Sequence, residues 1–141
     1  FAGTLGSSSA YFGKGGTSSG TPIGGSGEVR EIQTDTFYGY STVTFDIVIA
    51  NYTANGQNYD PDEETADSNE VIELYYSTDG GSSWNLISNY GNTSQTATNT
   101  HDYWKTYTES IPSGTTNLKW SQYKNSGDCC DHWALDNIII Q

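Results

Sequence analysis

Apolar and polar residues alternate along much of the chain, and the alternation is clearest between residues 42 and 51. Four apolar side chains there fall on one face of an extended strand: Val43, Phe45, Ile47 and Ile49. The residues between them, such as Thr44 and Asp46, fall on the other face, because successive side chains of a strand point to opposite sides. This pattern predicts a half-buried antiparallel strand.

Shorter stretches rich in β-branched and aromatic residues predict further strands. They cover residues 28–34, 71–77, 103–110, 118–123 and 134–141, and another strand begins at Trp84. The polar segments between them, at 55–69, 91–100 and 124–131, are expected to be loops. No segment repeats its apolar residues with the 3.6 period of a helix, so little or no helix is expected. Short strands joined by polar turns predict an all-β fold, a two-sheet antiparallel sandwich.

Residues 1–27 are dominated by Gly, Ser and Thr, a composition typical of a flexible linker. The apolar pair Tyr11 and Phe12 interrupts this segment, and we expect one short strand there, at the edge of a sheet. Residues 28–141 are then expected to form the sandwich domain. Because the chain begins with Phe rather than Met, we expect it to be one domain of a longer chain or assembly.

The charge balance excludes several kinds of partner. Among 141 residues, 17 Asp and Glu stand against 5 Lys and Arg, which gives a net charge of −12. Such a surface repels phosphate backbones and anionic membrane faces and attracts cations. No apolar run has the length that spans a bilayer. The sequence therefore predicts no binding to nucleic acid and no direct membrane insertion.

The turn after residue 77 carries a short motif: Ser77, Asp79, Gly81, Ser83 and Trp84. This Ser-x-Asp-x-Gly-x-Ser-Trp pattern resembles the Asp-box hairpin of sialidases and of several extracellular β modules. The resemblance implies that Asp79 caps the turn by accepting hydrogen bonds from backbone N–H groups, and that Trp84 packs beneath it. A sialidase propeller needs several blades, and the sequence has no internal repeat, so the motif predicts a folding device rather than a chemistry.

Two later patterns resemble one family more specifically. A strand alternates as Leu118, Trp120 and Gln122, and the chain closes on Asp-x-Trp-Ala-Leu-Asp-Asn from Asp131 to Asn137. Together with the hairpin, these patterns resemble the reelin subrepeat and related jelly-roll modules of surface proteins. The resemblance implies a jelly roll that acts in adhesion or recognition without catalysis and often holds a structural calcium ion. Three tryptophans of these motifs are expected in the core: Trp84, Trp120 and Trp133.

Calcium takes several oxygen ligands, mostly carboxylates and carbonyls, and the chain offers two acidic groups. The first lies before and within the closing strand: Asp128, Asp131 and Asp136. The family resemblance implies a ligand at Asp136, which without an ion would cap the turn instead. The second group lies in the 55–69 loop: Asp60, Asp62 and Glu64. For this loop, a solvated acidic surface and a metal site fit the sequence equally well.

The two cysteines, Cys129 and Cys130, are adjacent. Adjacent Cα atoms lie about 3.8 Å apart across a trans peptide, which is shorter than the usual disulfide range of roughly 4.4–6.8 Å. A vicinal disulfide between them is therefore strained. Two free thiols, a soft-metal site and bridges to another chain are the alternatives. The extracellular character of the composition favours the vicinal bridge, as a structural feature.

Nothing in the sequence singles out a catalytic group. His101 and His132 are the two histidines, and no serine in a strained elbow is recognisable beside them. Asp131 and His132 are neighbours, so on a strand they would point to opposite faces. A carboxylate pair for glycoside hydrolysis is not distinguished either. The sequence predicts a protein that is not an enzyme, and a glycoside-active domain is kept only as a remote alternative.

The 11 tyrosines provide contact surface for proteins or glycans. Five lie in or near predicted loops: Tyr38, Tyr40, Tyr52, Tyr59 and Tyr90. The leading hypothesis is a module for adhesion, recognition or structural display that contacts other protein subunits or surface proteins. Its expected location is extracellular, on a cell surface or on a virion or appendage. The alternative is a carbohydrate-binding module that uses the loop tyrosines.

Overall fold

Strands form all the regular secondary structure in the part of the chain that the computed structural model describes. That part comprises residues 29–49, 71–91, 104–123 and 133–141, together with the backbone of three short strands near 10, 53 and 57. The strands are β1 (Ala10–Phe12), β2 (Arg30–Gln33), β3 (Thr42–Ile49), β4 (Thr53–Ala54), β5 (Gln57–Asn58), β6 (Ile72–Ser77), β7 (Asn85–Tyr90), β8 (Lys105–Ser110), β9 (Asn117–Gln122) and β10 (Trp133–Ile140). The predicted scarcity of helix is confirmed for these residues.

Eight of these strands form two antiparallel sheets. The first sheet has the order β1-β10-β3-β8, and the second has the order β2-β9-β6-β7. The small strands β4 and β5 pair only with each other. The chain passes repeatedly from one sheet to the other, which is the connectivity of a jelly roll rather than of a meander. The predicted two-sheet sandwich is confirmed.

The inner faces of the two sheets meet in an aromatic and aliphatic core. Phe45 of the first sheet lies edge-on to Trp120 of the second, with ring centroids 5.2 Å apart. The apolar members of the β3 alternation are buried around this contact, together with Leu74 and Leu118. Fully burying each such side chain stabilises the fold by about 1.5–3 kcal/mol. The period-two pattern of β3 therefore determines which of its faces joins the core.

The predicted strands agree with the observed ones to within a few residues at each end. One correction concerns the loop predicted at 55–69, because Gln57–Asn58 forms a strand there that pairs with Thr53–Ala54. Polar side chains do not prevent this pairing, since the ladder is made by backbone groups. The predicted edge position of the strand near residue 11 is also observed, at the β1 edge of the first sheet.

The last strand is irregular in its middle. Its register against β3 shifts between Asp136 and Ile139, so one stretch of β10 holds more residues than the opposite stretch of β3. Asn137 in this bulge has a φ of 50°, in the left-handed region that asparagine tolerates better than most residues. Beyond the bulge, Ile139 is exposed on the outer face.

Among the described residues, no helix is long and apolar enough to cross a membrane.

Candidate functional site

Polar side chains gather at the bulge of β10, on the outer face of the first sheet. Asp46 and Asp136 are directly paired across β3 and β10, and both are about nine-tenths buried. The Asn137 side-chain amide donates to Asp46 Oδ2 at 2.8 Å, and its backbone N–H donates to Asp136 Oδ1 at 2.8 Å. The Thr106 hydroxyl donates to Asp46 Oδ1. The left-handed backbone of Asn137 is what turns both of its donors toward the two carboxylates.

Two paired carboxylates suit a hard cation in charge and in donor type. Like charges on facing strand positions destabilise a sheet unless hydrogen bonds or a cation compensate them. Calcium takes six to eight oxygen ligands, whereas the described residues contain no group of three acidic, His or Cys side chains. Asp46 and Asp136 therefore fit as part of a calcium site and not as a complete one.

The turn between β6 and β7 is closed by side-chain hydrogen bonds. The buried Ser77 hydroxyl donates to Asp79 Oδ1 at 2.7 Å and accepts from the Gly81 N–H at 2.8 Å. Asp79 also accepts from the backbone N–H and the hydroxyl of Ser83, at 2.9 and 2.6 Å. These bonds to Ser83 and Ser77 lower the pKa of Asp79 to about 2. The donors surround an exposed carboxylate, so the arrangement stabilises the turn.

Trp84 follows this turn but does not enter the sandwich core. A Cβ on Gly81, whose φ is 89°, would lie 3.4 Å from the Trp84 ring, so the indole packs against the turn itself. Its ring lies beneath the Lys119 ammonium, 4.6 Å from the ring centroid, on the outer face of the second sheet. The core position predicted for Trp84 is therefore wrong, whereas Trp120 and Trp133 are buried as predicted. On the outer face, Trp84 packs between the Lys119 ammonium and Gly81.

Lys119 is the centre of a cluster that we call the aromatic platform, formed by Tyr75, Trp84, Leu86, Lys119 and Tyr123. The Lys119 ammonium lies 5.7 Å from the Tyr75 ring centroid and 5.9 Å from that of Tyr123. The two tyrosine rings contact each other edge-on, 6.0 Å apart. Leu86 is the register partner of Tyr75 on β7 and is half-exposed. Three strands of the second sheet, β6, β7 and β9, thus direct large side chains to one outward-facing area.

Acidic groups border the platform. Glu31 of β2 lies 3.5 Å from the Lys119 ammonium, and Glu73 accepts a 2.6 Å hydrogen bond from the Tyr75 hydroxyl. Burial, and then this bond to Glu73, raise the pKa of Tyr75 well above its ordinary value. Tyr75 therefore stays a neutral hydrogen-bond donor. The Lys119 ammonium has the Glu31 carboxylate as its partner.

Two of the five predicted contact tyrosines lie on an exposed loop between β2 and β3. Tyr38 is 74% exposed and Tyr40 is nearly half-exposed. The loop is attached to the sandwich by the Phe37 N–H, which donates to the Thr116 carbonyl at 2.9 Å, and by the Ser41 N–H, which donates to the Gln141 carbonyl at 2.9 Å. The rings are thus presented from a backbone that is fixed on both sides.

Tyr90 is not a surface contact residue, and that prediction is wrong. It is only 3% exposed, and its ring meets Phe45 edge-on at 5.3 Å. Its hydroxyl donates to Glu109 at 2.8 Å, and burial followed by this bond raises its pKa. Tyr90 ends β7 in register with Ile72, on the inner face, which its position beside a predicted loop concealed.

Most of the other predicted site residues lie outside the described part of the chain: Tyr52, Tyr59, Asp60, Asp62, Glu64, Asp128, Cys129, Cys130 and Asp131. Their roles remain predictions. Conversely, sequence reasoning did not select Asp46, Tyr75, Lys119 or Tyr123. The alternation in β3 and β9 indicates outer-face positions for Asp46 and Lys119, but the strand pairing that brings these residues to their neighbours is set only by the fold.

The comparisons with known proteins agree with this architecture. The model of the Reelin subrepeat B family matches residues 25–141. The chain belongs to the reelin subrepeat B family. A search of the curated proteins found no match for it.

Solved structures with a similar fold include the cleaved adhesin domains of Lys-gingipain. The K1 domain, from Porphyromonas gingivalis W83, has a TM-score of 0.62 and 20% identity over 99% of this chain and 77% of that domain. The K3 domain has a TM-score of 0.54 and 17% identity over 82% and 64%. For the K2 domain the values are 0.51 and 13%, over 81% and 64%. The chain thus spans about two thirds of the K2 and K3 domains, and at these identities the likeness shows the fold alone.

Proposed function

We propose that this chain is a non-catalytic recognition module that works outside the cell or on a particle surface, where it attaches to partner proteins. Membership of the reelin subrepeat B family and a fold shared with bacterial adhesin domains support this class of function. In such a module the sandwich is a rigid support, and recognition belongs to exposed loops and outer faces. Glycoside-active catalysis is the weaker hypothesis, because no observation favours it.

The observation that carries the proposal is the loop of Tyr38 and Tyr40. Tyrosine is enriched at protein interfaces because it offers a large contact area while losing little conformational entropy. Here the neighbouring backbone is held by hydrogen bonds to Thr116 and Gln141, so binding would order little additional chain. The Phe37 ring, 6.0 Å from that of Tyr40, supports the loop from the inside.

We also propose a structural calcium ion at the β10 bulge, with Asp136 as a ligand. The pairing of Asp136 with Asp46 supports it, since both carboxylates are nearly buried and share one sign of charge. Asp46 has both oxygens in hydrogen bonds and would position Asn137 and the bulge. When bound, the ion would place positive charge beside the two carboxylates. Asp128 and Asp131 remain the predicted further ligands.

The recognition proposal is tested with the double substitution Tyr38→Ser and Tyr40→Ser. The purified, fluorescently labelled domain is incubated with intact cells or particles of the organism that produces it, and bound label is measured by flow cytometry. We expect at least a tenfold weaker half-saturation for the double variant, since interface tyrosines are common hot spots worth about 2 kcal/mol each.

The matched control is Ile139→Ser, which removes an exposed apolar side chain from the outer face of the first sheet. It is expected to bind like the unaltered domain. Circular dichroism of all variants checks that they fold. Unchanged attachment of a folded double variant would contradict the proposed role of this loop.

A further inference from the structure

The aromatic platform is more ordered than an exposed sheet face needs to be. Lysine is among the residues that are least often fully buried, yet Lys119 is only 7% exposed. Its ammonium faces three rings, the Glu31 carboxylate and the Tyr123 hydroxyl, the last at 3.5 Å. A long, flexible side chain is therefore held in one position at the centre of the platform.

Apolar surface is left exposed around this fixed ammonium. Tyr123 is 45% exposed and Leu86 is 50% exposed, on opposite sides of Tyr75. The three residues belong to the strands β9, β7 and β6, or directly follow them, and these strands are neighbours in the second sheet. The three strands span about 10 Å across the sheet, at about 4.8 Å between neighbours, and Tyr123 lies four residues beyond Lys119, the register partner of Tyr75, so the exposed residues run diagonally across the strands. This diagonal is long enough for an extended ligand and too narrow for a large one.

A hydroxyl without a partner lies within the same face. Lys119, Ser121 and Tyr123 alternate on the outer side of β9, and the Lys119 ammonium and the Tyr123 hydroxyl approach each other across Ser121. Ser121 is fully buried, and its Oγ has no hydrogen-bond partner among the described residues. Buried hydroxyls are nearly always paired, so the layer beneath the platform holds a hydrogen-bonding group that the described side chains around it do not satisfy.

These features favour one class of ligand over the others. A stable protein interface covers about 800 Å² on each side, and the exposed apolar part of the platform is two side chains wide. Polyanions are repelled by a chain of net charge −12 and by Glu31 and Glu73 at the border. A ligand cation would compete with Lys119 for the rings it already covers.

A neutral sugar chain satisfies all of these conditions. One side of a pyranose ring is lined by C–H groups, which stack on aromatic and aliphatic surface, whereas its rim carries hydroxyls that pair with charged and amide groups. Tyr123, Tyr75 and Leu86 provide the first kind of contact. Glu31 and the exposed Gln33 of β2 provide the second. We propose that the aromatic platform binds neutral oligosaccharides along the outer face of the second sheet.

This site is separate from the loop of Tyr38 and Tyr40, so it does not depend on the proposed attachment to proteins. The test uses isotope-labelled domain and four neutral hexasaccharides: cellohexaose, mannohexaose, xylohexaose and laminarihexaose. Backbone amide shifts are followed by NMR during each titration. We expect at least one sugar to bind with shifts concentrated at Leu86, Lys119 and Tyr123.

The variants Tyr123→Ala and Leu86→Ser each remove one exposed part of the platform and are expected to weaken binding at least tenfold. Tyr38→Ala, which removes a more exposed tyrosine elsewhere, is the matched control and should bind normally. If Tyr123→Ala fails to fold, Leu86→Ser decides alone. No binding of any hexasaccharide at millimolar concentration would overturn the proposal. So would binding that is lost in Tyr38→Ala or kept in both platform variants.

The two proposals fail separately. If the domain attaches to cells but binds no hexasaccharide, only the proposal for the aromatic platform fails. If it binds a hexasaccharide but attachment to cells does not depend on Tyr38 and Tyr40, only the proposal for the tyrosine loop fails. If Tyr123→Ala abolished both, attachment to cells would itself proceed through sugar, and the loop of Tyr38 and Tyr40 would lose its proposed role.

Discussion

The outer faces of the two sheets cover the same core with different chemistry. On the first sheet, Thr44 and Thr108 are paired across β3 and β8, and their hydroxyls bond to each other at 2.9 Å. On the second sheet, Lys119 is surrounded by rings whose outer surfaces remain partly exposed. The described outer face of the first sheet pairs polar groups with one another, and that of the second leaves apolar side chains partly exposed.

This difference shows how a sandwich separates stability from recognition. The inner faces are largely apolar, with a buried Arg30–Gln122 hydrogen bond on the second, and they pack against each other, so neither is free to vary with function. Each outer face carries a distinct group: the nearly buried Asp46 and Asp136 pair on the first, the aromatic platform on the second. The predictions below test whether the two faces differ in role as they do in chemistry.

The largest effect is expected from the core that both faces cover. Trp120→Ala removes a fully buried ring that contacts Phe45, and large-to-small substitutions of this kind cost about 3–5 kcal/mol. Tyr123 directly follows β9 and lies on the outer face of the second sheet. Tyr123→Ala should cost below about 1 kcal/mol because its ring is nearly half-exposed. Urea unfolding measures both. Equal losses would mean that the platform is part of the stabilising core.

Calcium removal is expected to affect the first face alone. If an ion binds at Asp136, a concentration 100 times its Kd stabilises the fold by about 2.7 kcal/mol. Thermal melting with calcium and with chelator should therefore differ for the unaltered domain and agree for Asp136→Asn. Leu86→Ser on the second face is the control and should keep the full calcium response. An unchanged midpoint in the unaltered domain would refute the calcium proposal.

The turn that leads to the second face is expected to respond next. Ser77→Ala leaves the Gly81 N–H without its acceptor and removes one of the two donors to Asp79 Oδ1, which costs about 2 kcal/mol. Ser82→Ala removes an exposed hydroxyl that donates to the Asp79 carbonyl and should change stability by less than about 0.5 kcal/mol. Urea unfolding of both variants makes the comparison. Similar midpoints for the two would show that the buried hydroxyl does not hold the turn.

The smallest effect is a pH dependence of the same turn. The folded-state pKa of Asp79 is about 2, below its ordinary value of 3.8, so the folded chain binds fewer protons than the unfolded chain in that interval. Its contribution is therefore complete above a pH of about 4 and is lost as the pH falls toward 2. Asp79→Asn should show a shallower loss of stability across this range by chemical unfolding. Identical slopes would contradict the capping role.

Much of the fold was predictable because it follows from local patterns. The alternation through Val43, Phe45 and Ile47 predicted β3 and its buried face, and the motifs around Trp120 and Asp136 predicted the family. The sequence of a strand indicates which of its faces is buried, because apolar residues recur at every second position. The places where prediction failed, Trp84 and Tyr90, are aromatic residues at strand ends, where alternation no longer indicates a face.

The candidate sites were less predictable because each depends on strands that are distant in the chain. Asp46 and Asp136 are 90 positions apart, and only the β3–β10 register makes them neighbours. Lys119 reaches Trp84 and Glu31 through pairing with β6 and β2. A polar residue on an outer face looks the same in sequence whether it faces water, a cation or a ring.

The sequence by itself therefore determined the class of fold, the strands and the hairpin that begins at Ser77, since hydrophobic period and turn chemistry are local properties. The tertiary structure decided which outer-face residues meet. It placed Trp84 over the turn and against Lys119 instead of in the core, and it paired two carboxylates beside a left-handed asparagine. Strand order and register are collective results of packing two sheets, and no single segment encodes them.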